Sequence, residues 1–144
     1  IMEGIRKTKE MRLSPGLNLL WGFPGEGVGD LKAAVNLIKK YDPCHELRTI
    51  RPVTPYPGTP LYKKAIKMNL LDGPEDFYER KHLNSDLFTV NFMDTSIKES
   101  HRELYAANLE LIEHYHGKHV GRSEVYAKKL YLDGNPDFRG WRTV

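Results

Sequence analysis

Two short turns constrain this chain more than any other feature. Phe23-Pro24-Gly25-Glu26 and, 33 residues further on, Tyr56-Pro57-Gly58-Thr59 each close an apolar, strand-like stretch and open a helix-like one. In a type II turn the second residue suits Pro, whose φ is already near the required value. The third needs positive φ, which Gly adopts without a Cβ clash. Both tetrapeptides fit. After the second turn, Thr59 can cap a helix with its hydroxyl and Pro60 can occupy the first helical position, where a missing N–H is no loss. After the first, Asp30 is expected to cap a helix beginning near Leu31. One strand, one crossover helix and a second parallel strand fit this spacing. A single Pro-Gly turn ends strands in many unrelated settings. A pair set one βα period apart points to a parallel sheet, with both loops on the edge where such sheets bind ligands.

The chain has 144 residues, 40% of them hydrophobic, enough for one core or for a partial core with an appended segment, and too few for two large independent domains. It opens at Ile1 with only a short helical stretch before the first strand signal, so the expectation is a piece of something longer. Lys and Arg exceed Asp and Glu by three and are spread along the chain, which gives nucleic-acid binding no support. No apolar run approaches the roughly 18 residues of a membrane span, and no signal-peptide pattern opens the chain, so a cytoplasmic location is the default. Cys44 is the single cysteine, which excludes an internal disulfide and a cysteine cluster held by this chain alone.

Periodicity predicts a short helix over residues 2–11 and a buried strand over 17–22. Alternation in that strand puts Asn18, Leu20 and Gly22 on one face and the bulkier Leu17, Leu19 and Trp21 on the other, which should meet the helices. Leu31, Ala34, Val35 and Ile38 mark a helix over 30–41, which Asp42-Pro43 should stop. Residues 47–53 read as a second strand with poor alternation, because Arg48 and Arg51 interrupt it. A helix over 60–69 follows, and Asp72-Gly73-Pro74 breaks it. Glu75 to Glu79 is expected to make a helical turn or two, and 83–92 an irregular segment. Ser96 and Glu99 form a capping-box pattern ahead of the strongest helix, which reaches Tyr115 and ends at Gly117. Another helix is expected over 124–131, before a turn at Asp133-Gly134-Asn135-Pro136 and a loosely held tail to Val144. The fold class is therefore α/β, with βα units over 1–72 and a mainly helical extension over 73–144.

His114, His116 and His119 invite a metal reading, yet no adjacent pair has the spacing that places two imidazoles on one helix face, and they read as solvated. Gly22 to Gly29 is glycine-rich before a helix but lacks both the P-loop ending and the dinucleotide fingerprint. Glu26 can serve as an acid, a base, a polar anchor or a partner of the helix dipole. No paired carboxylate or Ser-His-Asp set stands out. The Pro52 to Pro60 segment admits a different class of function, a non-enzymatic interaction module presenting a proline-rich segment together with the basic stretch around Lys128.

Asn18-Leu-Leu-Trp-Gly-Phe-Pro-Gly-Glu26 and Val53-Thr-Pro-Tyr-Pro-Gly-Thr-Pro-Leu-Tyr62 together resemble the later strands of radical S-adenosylmethionine enzymes, in particular the group with an amino-terminal cobalamin-binding domain. The resemblance is best over residues 1 to about 72. Asp76-Phe77-Tyr78 and Asn84-Ser-Asp-Leu-Phe-Thr-Val-Asn91 also look like that group's region after the barrel. It implies the fifth and sixth strands of a partial β/α (TIM-like) barrel with a carboxyl-terminal extension. In that family an iron-sulfur cluster on a three-cysteine loop cleaves S-adenosylmethionine to a deoxyadenosyl radical, so the hard chemistry belongs to the cofactors. This chain has no such loop, so the resemblance places cluster and catalysis in a missing amino-terminal half of the same polypeptide. The parent would be an oxidoreductase or transferase, a methyltransferase or oxidative cyclase acting on a small-molecule substrate, and cobalamin is a possible further cofactor.

The family's fifth-strand motif, Gly-x-Ile-x-Gly-x-x-x-Glu, lines the adenine side of the cofactor. Its positions match Asn18, Leu20, Gly22 and Glu26 here, with Asn18 departing from Gly and Leu20 from Ile. Gly22 would let the backbone approach a flat ring and Leu20 would supply an apolar wall. Tyr56, Gly58 and Thr59 would border the same cavity on the substrate side. No catalytic residue and no metal ligand is assigned to this chain. A partial barrel also implies an exposed apolar sheet edge able to support self-association.

Overall fold

The computed structural model describes residues 1–42, 46–117 and 121–136. Pro43, Cys44, His119 and the tail to Val144, each singled out above, lie outside the described residues. In chain order the elements are α1 (Met2–Glu10), β1 (Leu19–Trp21), α2 (Val28–Tyr41), β2 (Ile50–Pro52), α3 (Pro60–Lys67), a π-helical turn (Asp76–Lys81), α4 (Ile97–His116) and α5 (Gly121–Tyr131). The chain is thus a mixed helix and sheet protein with a small parallel sheet and a mostly helical carboxyl-terminal part.

β1 and β2 pair in parallel, with Leu19, Leu20 and Trp21 opposite Ile50, Arg51 and Pro52. Alternation sorts the two faces of β1 as expected, and β2, where Arg48 and Arg51 led to an expectation of poor alternation, is sorted in the same way. Trp21, Ile50 and Pro52 are buried, while Leu20 and Arg51 stand side by side on a face open to solvent. α2 packs on β1 and α4 packs on β2, and α4 in turn packs against α2 and α5. The main core joins Trp21, Leu31, Ile38 and Ile50 to Leu104, Leu111, Ile112 and Leu130, so the helical extension closes the same core that the βα units begin. A second cluster gathers Val53, Ala65, Leu71, Phe77, Val90 and Phe92 around α3 and the π-helical turn.

The end signals act largely as the residues indicate. The Thr59 hydroxyl accepts the Tyr62 N–H at 3.1 Å with Pro60 opening α3. Ser96 and Glu99 form a reciprocal capping box on α4, which Gly117 ends at φ +66°. Asp30 differs. α2 begins at Val28 rather than near Leu31, and Asp30 sits in its first turn, where its carboxylate accepts the Gly27 N–H at 2.9 Å. A carboxylate three residues inside a helix satisfies the same orphan amides from within, so the chain starts the helix one turn earlier. Residues 75–79 also differ, because the turn widens to a π-helix whose end is marked by the His82 N–H donating to the Phe77 carbonyl at 2.8 Å.

The outer edge of β2 is covered by a side chain. The Val53 N–H donates to the Trp21 carbonyl at 2.8 Å, so parity turns the backbone groups of Ile50 toward the other side of β2. Both are taken by the carboxamide of Asn108 on α4, with Ile50 N–H to Oδ1 at 2.8 Å and Nδ2–H to the Ile50 carbonyl at 3.0 Å. Pro52 has no N–H to offer on that edge. The outer edge of β2 is therefore satisfied within the chain, and among the described residues no further strand pairs with the edge of β1.

Candidate functional site

The open face of the sheet and the two loops at its carboxyl end form one continuous surface. Along the strands runs a groove of about 400 Å³ bordered by Asn18, Leu20, Thr49 and Arg51. Beyond it, at the carboxyl end of β2, a second cavity of about 260 Å³ is lined by Leu20, Arg51, Thr54, Tyr56 and Ser85. Leu20 and Arg51 border both.

Both turns have the geometry that their residues require. Gly25 has φ +91° with the Glu26 N–H donating to the Phe23 carbonyl at 3.0 Å, and Gly58 has φ +93° with the Thr59 N–H donating to the Tyr56 carbonyl at 3.1 Å. Equivalent turns follow adjacent parallel strands, so the first residue of each, Phe23 and Tyr56, projects at the same end of the sheet.

The residues expected to line a ligand divide into two sets. Asn18, Leu20 and Tyr56 are exposed and border the groove or the cavity beyond it. Gly22, Glu26, Gly58 and Thr59 shape the loops. Glu26 Oε2 accepts the Gly22 N–H at 2.8 Å and the Phe23 N–H at 2.9 Å, curling the chain end of β1 onto one carboxylate. The Thr59 hydroxyl donates to the Tyr56 carbonyl at 2.7 Å. A flat ring does lie against Gly22, and it belongs to Phe88: a Cβ at position 22, whose φ is +103°, would stand 2.5 Å from the Phe88 Cε1. Phe88 packs edge-on to Trp21 at 5.7 Å between centroids.

Behind Phe88 stands His101 on α4. Its Nε2 accepts the Phe88 N–H at 3.1 Å, which assigns the ring proton to Nδ1, and burial lowers the imidazole pKa from 6.5 to about 4. The second loop has its own support. The Tyr56 ring meets Phe77 and His82 at 5.7 and 5.3 Å between centroids, and His82 stacks on Phe77 while its Nδ1 lies 2.9 Å from the Thr89 hydroxyl. Phe77 belongs to the π-helical turn, where burial pushes the Asp76 carboxyl up. The Asp72 amide, the Lys81 ammonium and the Arg80 guanidinium outweigh that and hold it below the usual carboxylate range.

Arg51, which strand alternation set aside as an interruption, borders both the groove and the cavity. Its parity carries the signal, since Ile50 and Pro52 point into the core and Arg51 must then point out of it, beside Leu20. Asp86, which pairs with it, comes from the irregular segment and has no local pattern to reveal it.

Among the described residues no group of three or more His, Cys, Asp or Glu could hold a metal ion, and no helix is long and apolar enough to cross a membrane. Within the proline-rich segment Pro52 is in β2, Pro55 is buried, Pro57 is in the turn and Pro60 opens α3, so those prolines are distributed over strand, loop, turn and helix. No family model matches the chain, and no curated protein or solved structure matches it either.

Proposed function

We propose that this chain is the carboxyl-terminal part of a radical S-adenosylmethionine enzyme, contributing two strands of a partial β/α barrel and the adenine-side wall of a cofactor cavity. The observation that carries the reading is the pairing of two equivalent Pro-Gly turns at the carboxyl ends of adjacent parallel strands, above a sheet face left open at Asn18 and Leu20. In parallel β/α folds that end of the sheet is where ligands bind.

The residues present fit the cofactor in part. Leu20 offers an apolar wall and Asn18 a polar amide along a groove of about 400 Å³. Gly22 and Glu26 act one step removed, because Phe88 covers the glycine and the carboxylate is engaged by two backbone amides. When bound to its cluster, S-adenosylmethionine supplies radical chemistry. This chain's part is to shape, orient and dry one side of that space, with Glu26 and Phe88 holding the loop that frames it. On this reading the cluster ligands lie in an amino-terminal half of the same polypeptide, and no catalytic role is assigned to this chain. Cobalamin in the parent and a methyltransferase or cyclase reaction follow from the resemblance alone.

Two measurements test the reading. The coding sequence upstream of Ile1 should contain a Cys-x-x-x-Cys-x-x-Cys loop, and its absence would overturn the assignment. Anaerobic reconstitution of the 144-residue chain with iron and sulfide should leave no cluster absorbance, whereas a cluster that cleaves S-adenosylmethionine would contradict the division of labour.

A further inference from the structure

Arg51 brings a charged group to the open sheet face, and it is placed unlike its neighbour Arg48. The Arg48 guanidinium is spent within the fold: Nε meets Asp42 at 3.1 Å and a terminal nitrogen meets Glu46 at 3.0 Å, with the side chain only 18% exposed. Arg51 meets a single carboxylate through Nε, Asp86 Oδ1 at 3.2 Å, and its side chain is 49% exposed. Its two terminal nitrogens have no partner among the described residues.

Asp86 is itself fixed. Its side chain is 9% exposed, its N–H donates to Asn84 Oδ1 at 2.9 Å, and Asn84 Nδ2 donates to the Pro136 carbonyl at 2.9 Å. This fixed carboxylate pairs with the Nε edge of the guanidinium, and the fork of terminal nitrogens lies at its other end. Such a fork matches the two oxygens of a carboxylate or phosphate. Arg51 borders the 260 Å³ cavity, whose lining also includes Thr54, Tyr56 and Ser85, three hydroxyl-bearing residues, with Leu20 as an apolar wall.

We propose that this cavity binds the oxyanion group, carboxylate or phosphate, of a small molecule with an apolar or aromatic body, Arg51 clamping the anion in bidentate fashion. Arg51 is outside the motif positions that the cofactor reading uses. The proposal stands whether or not that reading does, and an upstream cysteine loop has no bearing on it.

The test is a two-dimensional amide NMR titration of the 144-residue chain with benzoate and, separately, with phenyl phosphate, using benzamide as the uncharged control. The expected result is saturable perturbation of the Leu20, Thr54, Tyr56 and Ser85 signals by at least one anion and none by benzamide. The stronger arm identifies the source of the oxyanion. Arg51→Gln should weaken the response at least tenfold, and Arg51→Lys, which keeps the charge toward Asp86 but not the fork, should fall between. Perturbation confined to other surfaces, an equal response to benzamide, or unchanged affinity in a folded Arg51→Gln chain would overturn the proposal. Should both variants unfold, the location of the wild-type perturbations decides by itself.

Discussion

The carboxamide of Asn108 takes both outward backbone groups of Ile50, accepting its N–H at 2.8 Å and donating to its carbonyl at 3.0 Å across 58 residues of sequence. One side chain thereby does for the edge of β2 what a further strand would do. The same Nδ2 also donates to the Tyr131 hydroxyl at 3.2 Å, so the group ties β2, α4 and α5 together at a site with no exposure. Removing it leaves a buried amide and carbonyl unpaired. Asn108→Ala should cost about 3 kcal/mol in urea unfolding at neutral pH. Asn108→Leu should cost a similar amount despite better filling, because the lost hydrogen bonds and not the lost volume dominate. A leucine variant of wild-type stability would contradict this account.

Gly22 and Gly25 lie in the same loop, both with positive φ, and differ in their surroundings. A Cβ at 22 would meet the Phe88 ring at 2.5 Å, while one at 25 would meet nothing within 4 Å. Gly25→Ala should therefore show backbone strain alone, about 1 kcal/mol, and Gly22→Ala strain plus overpacking, about 3 kcal/mol. In the double variant Gly22→Ala with Phe88→Leu the two losses should be less than additive, since the smaller side chain relieves the clash. Strict additivity in denaturant melts would remove the ring contact as the cause.

Glu26 holds the Gly22 and Phe23 amides on one oxygen. Glu26→Ala should raise hydrogen exchange at those two amides and lower stability by about 1–2 kcal/mol, with Glu26→Gln closer to wild type because it keeps an acceptor. Exchange rates at Gly22 and Phe23 that do not change would show that the carboxylate is not what curls the loop.

Stability should fall with acid in two windows. His101 is neutral in the fold and titrates at about 4 there against 6.5 when free of burial, so the unfolded chain binds the extra proton first. Its contribution is full above pH 6.5 and is lost as pH falls toward 4, because a protonated Nε2 would turn a second donor against the Phe88 N–H. Allowing for its partial exposure, the loss should be on the order of 2 kcal/mol. His101→Gln, which still offers an acceptor, should flatten the profile between pH 6.5 and 4. Below that window the carboxylates follow. Asp76 is lowered as described. Glu99 is lowered by the Ser96 hydroxyl and amide, outweighing burial, so their contributions persist to more acid pH and are lost last.

The local grammar of this protein was legible in its residues. Pro-Gly at both turns, Thr59-Pro60 ahead of α3 and Ser96 with Glu99 ahead of α4 each act over three or four residues, and each has the expected geometry. Alternation alone also put Asn18 and Leu20 on the open face and Leu17 and Trp21 in the core. Asp30 showed the limit of such reading, because a carboxylate can serve a helix start from just outside or from its first turn with nearly the same sequence.

What the residues determined by themselves is therefore the set of elements, those ends that carry a cap or a turn signal and the sidedness of β1. The tertiary structure decided what each side meets. It brought Phe88 onto Gly22, His101 behind Phe88, Asp86 beside Arg51 and Asn108 onto the edge of β2. The physical reason is range. Caps, turns and alternation are set by sterics and hydrogen bonds between near neighbours in the chain. A partner 58 residues away, as Asn108 is from Ile50, is chosen only when packing brings a buried donor and acceptor within reach of a group that can satisfy both.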